Sequence, residues 1–153
     1  NVISARDMLA ACEAAMPCDV LIAAAAVADY RPEVSAEQKM KKDPNSVDGM
    51  TLKLIRNPDI LATIASRTDR PFCVGFAAET QNLLEYATTK LRDKNLDLIV
   101  ANDVSNTAIG FNSDDNAITI VDRQQQQTNF SQTSKSKIAR QLIDFIATHI
   151  NKV

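Results

Sequence analysis

Glycine is scarce in this chain, and its scarcity limits the possible functions. Only Gly49, Gly75 and Gly110 occur among 153 residues, so neither a GxGxxG dinucleotide fingerprint nor a GxxxxGK[ST] phosphate loop is present. Both motifs need glycine because the backbone has to approach a phosphate group closely. Ordinary NAD-binding and ATP-loop interpretations therefore lose support.

Cysteine, histidine, charge and long apolar runs are limited as well. Cys12, Cys18 and Cys73 are odd in number and have no CxxC spacing, which indicates reduced thiols in a cytoplasmic protein. No run of about 18 apolar residues predicts a membrane span. The net charge of -2 gives no general attraction to nucleic acid. The one histidine, His149, is interpreted as a surface residue and not as a catalytic base.

The sequence does contain an alternation of helical and strand patterns. Helices are predicted from the capping-box pair Ser4 and Asp7 to Pro17, from 57 to about 67, from 79–80 through 91, and from about 134. Strands are predicted at 19–25, 51–55, 72–78 and 96–101, and a hairpin between 111 and 130. The expected fold is a single α/β domain over 1–153: a Rossmann-like open, mostly parallel sheet with helices on both faces and a β-hairpin extension.

Ligands of such sheets bind at the carboxyl ends of the strands. One such end is the run from Ala23 to Arg31, which is followed by Lys39-Met40-Lys41-Lys42. Small side chains let a ligand lie against the backbone, Asp29 offers a hydrogen-bond acceptor, and the lysines offer charge for phosphates. The stretch from Ala28 to Met50 has no clear period, and it is interpreted as a long functional loop.

Asn57-Pro58-Asp59 is the second informative segment. Asn57 is predicted to cap a helix, with Pro58 at its first position and Asp59 at its positive end. Without a glycine loop, phosphates would have to be held by lysines and by the amides at this helix start.

Each of these features also has a simpler explanation. The alanine run is what a tightly packed central strand would show, Asp29 could cap a turn, and the lysines at 39–42 could belong to a solvated loop. Lys90 and Lys94 share one helix face and could simply be exposed. Phe76 at a strand end is more often a core residue than a platform for base stacking.

Several motifs in the same order resemble bacterial phosphopantothenoylcysteine synthetase, the carboxyl-terminal half of the bifunctional coenzyme A biosynthesis protein. They are Ala25-Ala26-Val27-Ala28-Asp29-Tyr30, Lys39-Met40-Lys41-Lys42, Asn57-Pro58-Asp59-Ile60, Val74-Gly75-Phe76-Ala77-Ala78-Glu79-Thr80, Lys90 with Lys94, Asn95-Leu96-Asp97, Ala101-Asn102-Asp103 and Gly110-Phe111-Asn112-Ser113. The resemblance covers nearly the whole chain. This sequence does not include the glycine-rich segment and the Asn-x-Ser-Ser-Gly stretch that precede these motifs in the family.

The resemblance implies a CTP-dependent ligase. CTP would activate 4'-phosphopantothenate as an acyl-cytidylate, and cysteine would then give 4'-phosphopantothenoylcysteine and CMP, with Mg²⁺ and cations neutralising the phosphates. Lys39 is the expected catalytic residue, and Ala26 would lie beside the acyl-cytidylate. The residues implied to contact CTP are Ala23, Ala24, Ala25, Asp29, Lys39, Ile55, Arg56, Asn57, Pro58, Phe76, Lys90 and Lys94.

The same resemblance implies a homodimer, for which the hairpin between 111 and 130 is the expected contact, and a flavin-dependent decarboxylase domain fused upstream. No flavin is expected in this part. The loop after Lys42 is expected to close over the substrates. Two other interpretations stay open: a nucleotide-binding module without turnover, and a short-chain oxidoreductase, for which Tyr86 and Lys90 form a Tyr-x-x-x-Lys pair.

Overall fold

A computed structural model describes residues 1–41, 49–79, 82–103 and 113–150. The elements are α1 (Ala5–Ala14), β1 (Val20–Ala23), β2 (Tyr30–Pro32), β3 (Leu54–Arg56), α2 (Ile60–Ala65), β4 (Phe72–Glu79), α3 (Leu83–Asp93), β5 (Leu98–Asp103), β6 (Asp115–Asp122), β7 (Gln127–Ser134) and α4 (Lys135–Ile150). Lys42, Thr80 and the predicted hairpin start at Gly110-Phe111-Asn112 lie outside the described residues.

Five strands form the main sheet in the order β1-β4-β5-β6-β7. The pairs β1–β4 and β4–β5 are parallel, as is usual for strands joined by crossover helices. The β6–β7 hairpin continues the sheet in antiparallel fashion from β5. The predicted Rossmann-like α/β sheet with a hairpin extension is therefore confirmed.

Each face of the main sheet has its own hydrophobic core. Ala65 of α2 and Ala87 and Leu91 of α3 pack on one face. Three residues of α4, Ile138, Leu142 and Ile146, pack on the other. The predicted placement of helices on both faces is confirmed, and α1 packs against α2. No helix within the described residues is long and apolar enough to cross a membrane.

His149 near the end of α4 is half-buried, so its ring is partly exposed and also packs within the helix. Its ring stacks on that of Phe145 with 4.0 Å between centroids. The helical spacing of four residues brings the two rings together on one side of α4.

Strand β1 is shorter and less buried than predicted. The apolar run 19–25 predicts a strand covered on both faces, but the strand is Val20–Ala23 and all four residues are only half-buried. Among the described strands β1 pairs only with β4, so it lies at one edge of the sheet. The residues that follow, Ala24, Ala25 and Ala26, are exposed, and the interpretation of the whole alanine run as a packed central strand is wrong.

Residues 30–41 and 49–56, which we call the arm, come between β1 and α2 in the chain, and their strands are not part of the main sheet. The strands β2 and β3 pair antiparallel at the base of the arm as a separate two-stranded ribbon. The sequence predicts a strand at 51–55, but the strand is Leu54–Arg56, and the predicted loop from Ala28 to Met50 contains the unexpected strand Tyr30–Pro32. Each strand is only three residues long, too short to show a period.

Two helix starts were predicted from capping residues. At α1 the capping box is confirmed: the Asp7 N–H donates to Ser4 Oγ, and the Ser4 N–H donates to Asp7 Oδ2. At α2 the prediction of Asn57 as the cap is wrong, because the helix begins at Ile60 and Asp59 is its N-cap. The side chain of Asn57 is bound elsewhere, as described below.

Candidate functional site

A cavity of about 300 Å³ lies beside β1 and beyond its carboxyl end. Its walls come from α1, β1 and the loop that follows it, the turn before α2 and the start of α2, the middle of β4, and the residue after α3. The lining residues are Met8, Cys12, Leu21, Ile22, Ala23, Ala25, Ala26, Val27, Ala28, Asp29, Asn57, Pro58, Asp59, Ile60, Leu61, Phe76 and Lys94. Its position is where ligands bind in open α/β sheets.

The cavity brings together most of the residues that the sequence singled out. Among the predicted ligand residues, those that line it are Ala23, Ala25, Ala26, Asp29, Asn57, Pro58, Phe76 and Lys94. These residues come from four segments that are up to 71 positions apart, Ala23 to Lys94, and the fold makes them neighbours. The predicted residues that do not line it are Ala24, Lys39, Ile55, Arg56 and Lys90.

Small side chains and one aromatic ring shape the cavity wall. The loop residues Ala25 and Ala26 are exposed, so a ligand can lie against their backbone. Phe76 is 40% exposed although Gly75 and Ala77 on either side of it in β4 are buried. The interpretation of Phe76 as a fully packed core residue is therefore wrong, and its ring is available to a planar group.

Asn57 joins two walls of the cavity. Its N–H donates to the Asp29 carbonyl at 2.8 Å, and its Nδ2 donates to the Ala28 carbonyl at 2.8 Å. Its Oδ1 accepts a hydrogen bond from Arg31 Nη1 at 3.0 Å. The side chain is thus engaged within the protein, which is why it does not cap α2.

Asp59 and Lys94 form an ion pair on the cavity wall. Lys94 Nζ lies 2.7 Å from Asp59 Oδ2, and the Ala62 N–H donates to Asp59 Oδ1 at 3.0 Å. Burial by itself raises the pKa of Asp59, but the bond and charge of Lys94 and the Ala62 N–H outweigh it, so the pKa lies below its ordinary value. The carboxylate keeps the lysine ammonium at the cavity and occupies the start of α2.

Lys39 and the oxidoreductase pair lie away from the cavity lining. Lys39 is exposed in the arm after β2. Tyr86 of α3 is 49% exposed, and neither it nor Lys90 lines the cavity. With no glycine loop beside it, the Tyr-x-x-x-Lys spacing gains no support from the fold.

Sequence reasoning did not assign a role to Arg31, nor to the side chain of Asp59 beyond the helix start. Arg31 binds residues 56 and 57, which are more than 20 positions away in the chain. Asp59 binds Lys94, which is even further away. A single sequence carries no signal for pairs at these separations, so only the spacing of Asn57-Pro58-Asp59 indicated that something of interest lay nearby.

Magnesium is implied only together with a nucleotide, and the residues fit that role. Mg²⁺ is usually held by one or two carboxylates, several waters and the phosphates of a substrate. Within the described ranges no group of three or more His, Cys, Asp or Glu side chains could hold a metal by itself. Asp29 is an exposed carboxylate on the cavity wall, and an ion that arrives with a nucleotide would be held mainly by the phosphates and by water.

The chain matches the family model described as the DNA/pantothenate metabolism flavoprotein C-terminal domain over residues 1–150. Among curated proteins it is 56% identical over 122 residues to the coenzyme A biosynthesis bifunctional protein CoaBC of Vibrio parahaemolyticus, covering 78% of this chain and 30% of that protein. It is 46% identical to the CoaBC of Haemophilus influenzae, covering 99% of this chain and 37% of that protein. The chain therefore spans about a third of the length of these relatives.

Two solved structures share the fold. The crystal structure of the C-terminal domain of a CoaBC has a TM-score of 0.77 and 34% identity, with 99% of this chain and 65% of that chain covered. A DNA/pantothenate metabolism flavoprotein from Streptococcus pneumoniae has a TM-score of 0.71 at 24% identity, with 97% of this chain and 71% of that chain covered. The second likeness concerns the fold alone.

Proposed function

The chain belongs to the family of the DNA/pantothenate metabolism flavoprotein C-terminal domain, and we propose that it is the CTP-binding part of the phosphopantothenate–cysteine ligase of coenzyme A biosynthesis. The names of its CoaBC relatives support a place in coenzyme A biosynthesis. The observation that carries the proposal is the cavity, which places Asp29, Phe76 and Lys94 around the alanine loop after β1.

The proposed reaction has two steps. A carboxylate oxygen of 4'-phosphopantothenate attacks the α-phosphorus of CTP, and the bond to the β-phosphate breaks, giving the acyl-cytidylate and pyrophosphate. The amino group of cysteine then attacks the acyl carbon, loses a proton, and expels CMP. The first step brings two anions together and the second expels an anion, so fixed cations lower the barrier most when they face the charge that develops in the transition state.

Each residue around the cavity has a proposed part in this reaction. Phe76 stacks on the cytosine ring, Asp29 accepts hydrogen bonds from the ribose, and Lys94 faces the phosphates. The exposed backbone at Ala26 leaves room for the acyl group. Mg²⁺, when bound with the nucleotide, supplies further neutralisation of the phosphate charge.

Lys39 remains the proposed catalytic residue, although it does not line the cavity. It lies in the arm, whose two base strands directly follow Asp29 and directly precede Asn57 of the cavity wall. Movement of the arm towards the cavity would bring its ammonium to the leaving pyrophosphate and exclude water from the acyl-cytidylate.

A nucleotide-binding module without turnover is the second candidate. It is favoured by the position of Lys39 outside the cavity lining. The choice of CTP over ATP is part of the first proposal and follows from the resemblance to the bacterial synthetases. The homodimer also stays a prediction, and sedimentation at micromolar concentration would test it.

The experiment is a measurement of pyrophosphate release with 4'-phosphopantothenate, Mg²⁺ and either CTP or ATP, with and without cysteine. The Haemophilus influenzae CoaBC is the matched control for assay conditions. Release that needs both 4'-phosphopantothenate and CTP supports the ligase. Binding of CTP without release supports the module, and release with ATP but not CTP contradicts the choice of nucleotide.

A further inference from the structure

The arm connects to the rest of the chain at its base, where the β2–β3 ribbon meets the cavity. The ribbon pairs Tyr30 with Arg56 and Pro32 with Leu54, and the Glu33 N–H extends it by donating to the Lys53 carbonyl at 2.9 Å. The arm carries Lys39 beyond this ribbon. The orientation of the arm relative to the cavity therefore depends on what holds its base.

Arg31 is the charged side chain that holds this base. Its Nη1 donates two hydrogen bonds, one to the Arg56 carbonyl at 2.7 Å and one to Asn57 Oδ1 at 3.0 Å. Hydrogen bonds from a guanidinium are shorter and stronger than those between neutral groups. One nitrogen thus ties β2 to both the last residue of β3 and the turn that follows.

Asn57 connects Arg31 to the cavity wall by further hydrogen bonds. It donates through its N–H to the Asp29 carbonyl and through Nδ2 to the Ala28 carbonyl, both at 2.8 Å. Ala28, Asp29 and Asn57 all line the cavity. Arg31 itself does not, so it acts on the cavity through Asn57.

We propose that Arg31 is a positioning residue: through Asn57 it fixes the spacing of the two cavity walls at 28–29 and 57 and the orientation of the Lys39-bearing arm. This inference deepens the proposed function and rests on it for its effect on nucleotide binding. Asn57 lines the cavity, and its side chain also makes this connection.

A second ion pair in the ribbon provides a matched control. Lys53 Nζ lies 2.8 Å from Glu33 Oε1, two residues beyond Arg31 along the ribbon. The pair is exposed, with 72% of the Lys53 side chain and 39% of the Glu33 side chain accessible. Neither residue lines the cavity. Glu33→Gln therefore removes a charge contact from the same ribbon without affecting the connection to Asn57.

The first test uses a lysine-specific endoproteinase on the 153-residue chain without any ligand. Arg31→Gln loosens the arm, so we expect cleavage after Lys39 and Lys41 to be about tenfold faster, the factor that corresponds to loss of a charged hydrogen bond. Cleavage after Lys135 and Lys137 in α4 should be unchanged, and mass spectrometry of the fragments measures the rate at each site. Glu33→Gln should cleave at the wild-type rate.

Equal cleavage rates for Arg31→Gln and Glu33→Gln would overturn the proposal. A general increase at all lysines in Arg31→Gln would do the same, because it would mean that the variant only weakens the fold. This test needs no nucleotide, so it decides the role of Arg31 even if the chain fails to bind CTP and the proposed function falls.

The second test is a double-mutant cycle on the affinity for CTP and for cytidine. If Arg31 acts through Asn57, then Arg31→Gln and Asn57→Ala each weaken binding, and the double variant is no weaker than the poorer single one. Cytidine and CTP should lose affinity by the same factor, about tenfold, because the walls are displaced for both. Additive losses confined to CTP would show a direct phosphate contact by Arg31 and contradict the proposal.

Discussion

Two charged clusters lie at opposite ends of the main sheet. At the amino ends of β4 and β5 the carboxylate of Asp97 is buried, whereas beyond the carboxyl end of β1 the ion pair of Asp59 and Lys94 is partly exposed. Asp97, just before β5, is 6% exposed. Its Oδ2 accepts hydrogen bonds from Arg70 and, at 2.7 Å, from the Cys73 N–H, and its Oδ1 lies 2.9 Å from Arg123 Nε. The Asp97 N–H also donates to the Cys73 carbonyl at 2.9 Å.

The ion pair at the cavity is built differently. Asp59 and Lys94 keep 45% and 35% of their side chains exposed, so water competes with the pair. A buried, fully bonded carboxylate can fix how two strands meet, while exposed charges remain able to exchange partners when an anion arrives. One end of the sheet therefore joins two strands through a buried carboxylate, and the other end leaves its charges accessible to an anion.

The largest expected effect is on stability at the amino end. Asp97→Asn leaves two guanidinium groups without their buried partner, so we expect a loss of about 3 kcal/mol in the free energy of unfolding. Asp69→Asn is the control, because Asp69 pairs with Arg67 at the surface and should contribute less than about 1 kcal/mol. Urea denaturation measures both, and similar losses in the two variants would remove the distinction between the ends.

Lys39→Gln should lower activity and leave stability unchanged, the reverse of what we expect for Asp97→Asn. We expect pyrophosphate release to fall about 100-fold, because a cation facing the leaving group is lost, while the free energy of unfolding stays the same. Lys53→Gln, which alters another exposed lysine of the arm, should retain activity. Unchanged turnover in the Lys39 variant would contradict the catalytic role.

Gly75→Ala tests the packing of the sheet beside the cavity. An added Cβ would lie 2.7 Å from Leu96 Cδ1 and 3.0 Å from Leu61 Cδ2, and overpacking of this kind costs about 1–3 kcal/mol. Gly49→Ala is the control, since an added Cβ there meets nothing within 4 Å. Thermal unfolding of the two variants should differ accordingly, and equal midpoints would mean that Leu61 and Leu96 adjust freely.

The smallest expected effect is the change in the free energy of unfolding when the exposed ion pair of Asp59 and Lys94 is removed. Asp59→Asn keeps a good helix cap but loses the ion pair, so we expect a loss of about 0.2–1 kcal/mol at pH 7. Because the folded-state pKa of Asp59 is lowered from 3.8, this stabilisation is present above that pH and disappears as the pH falls through the folded value. Denaturation curves recorded from pH 7 down to the lowest pH at which both proteins stay folded test this, and a difference that does not shrink as the pH falls below 3.8 would contradict it.

The local patterns of the sequence were reliable where short-range chemistry decides. The capping box at Ser4 and Asp7, the strand at Phe72–Glu79 and the apolar face of α4 depend on neighbours within a few residues. The candidate site was only partly predictable. The segments 23–29 and 57–58 were recognised, but nothing local showed that Lys94 would reach the cavity or that Lys39 would lie outside its lining.

The α2 start shows where local reasoning stopped. Asn57 and Asp59 are both good caps, and the sequence favoured Asn57 because Pro58 suits the first position of a helix. The choice was made by Arg31 and the carbonyls of Ala28 and Asp29, which engage Asn57 and leave the cap to Asp59. Hydrogen bonds between distant segments form only when the fold brings their partners together.

By itself, then, the sequence determined the alternation of helices and strands and the two hydrophobic faces, because these follow from side-chain periodicity and local backbone preference. Only the tertiary structure decided that β1 lies at an edge of the described sheet, that the arm forms its own ribbon, and that Arg31 and Asn57 join the cavity walls. Those features depend on pairings between residues far apart in the chain, and no local preference specifies such pairings.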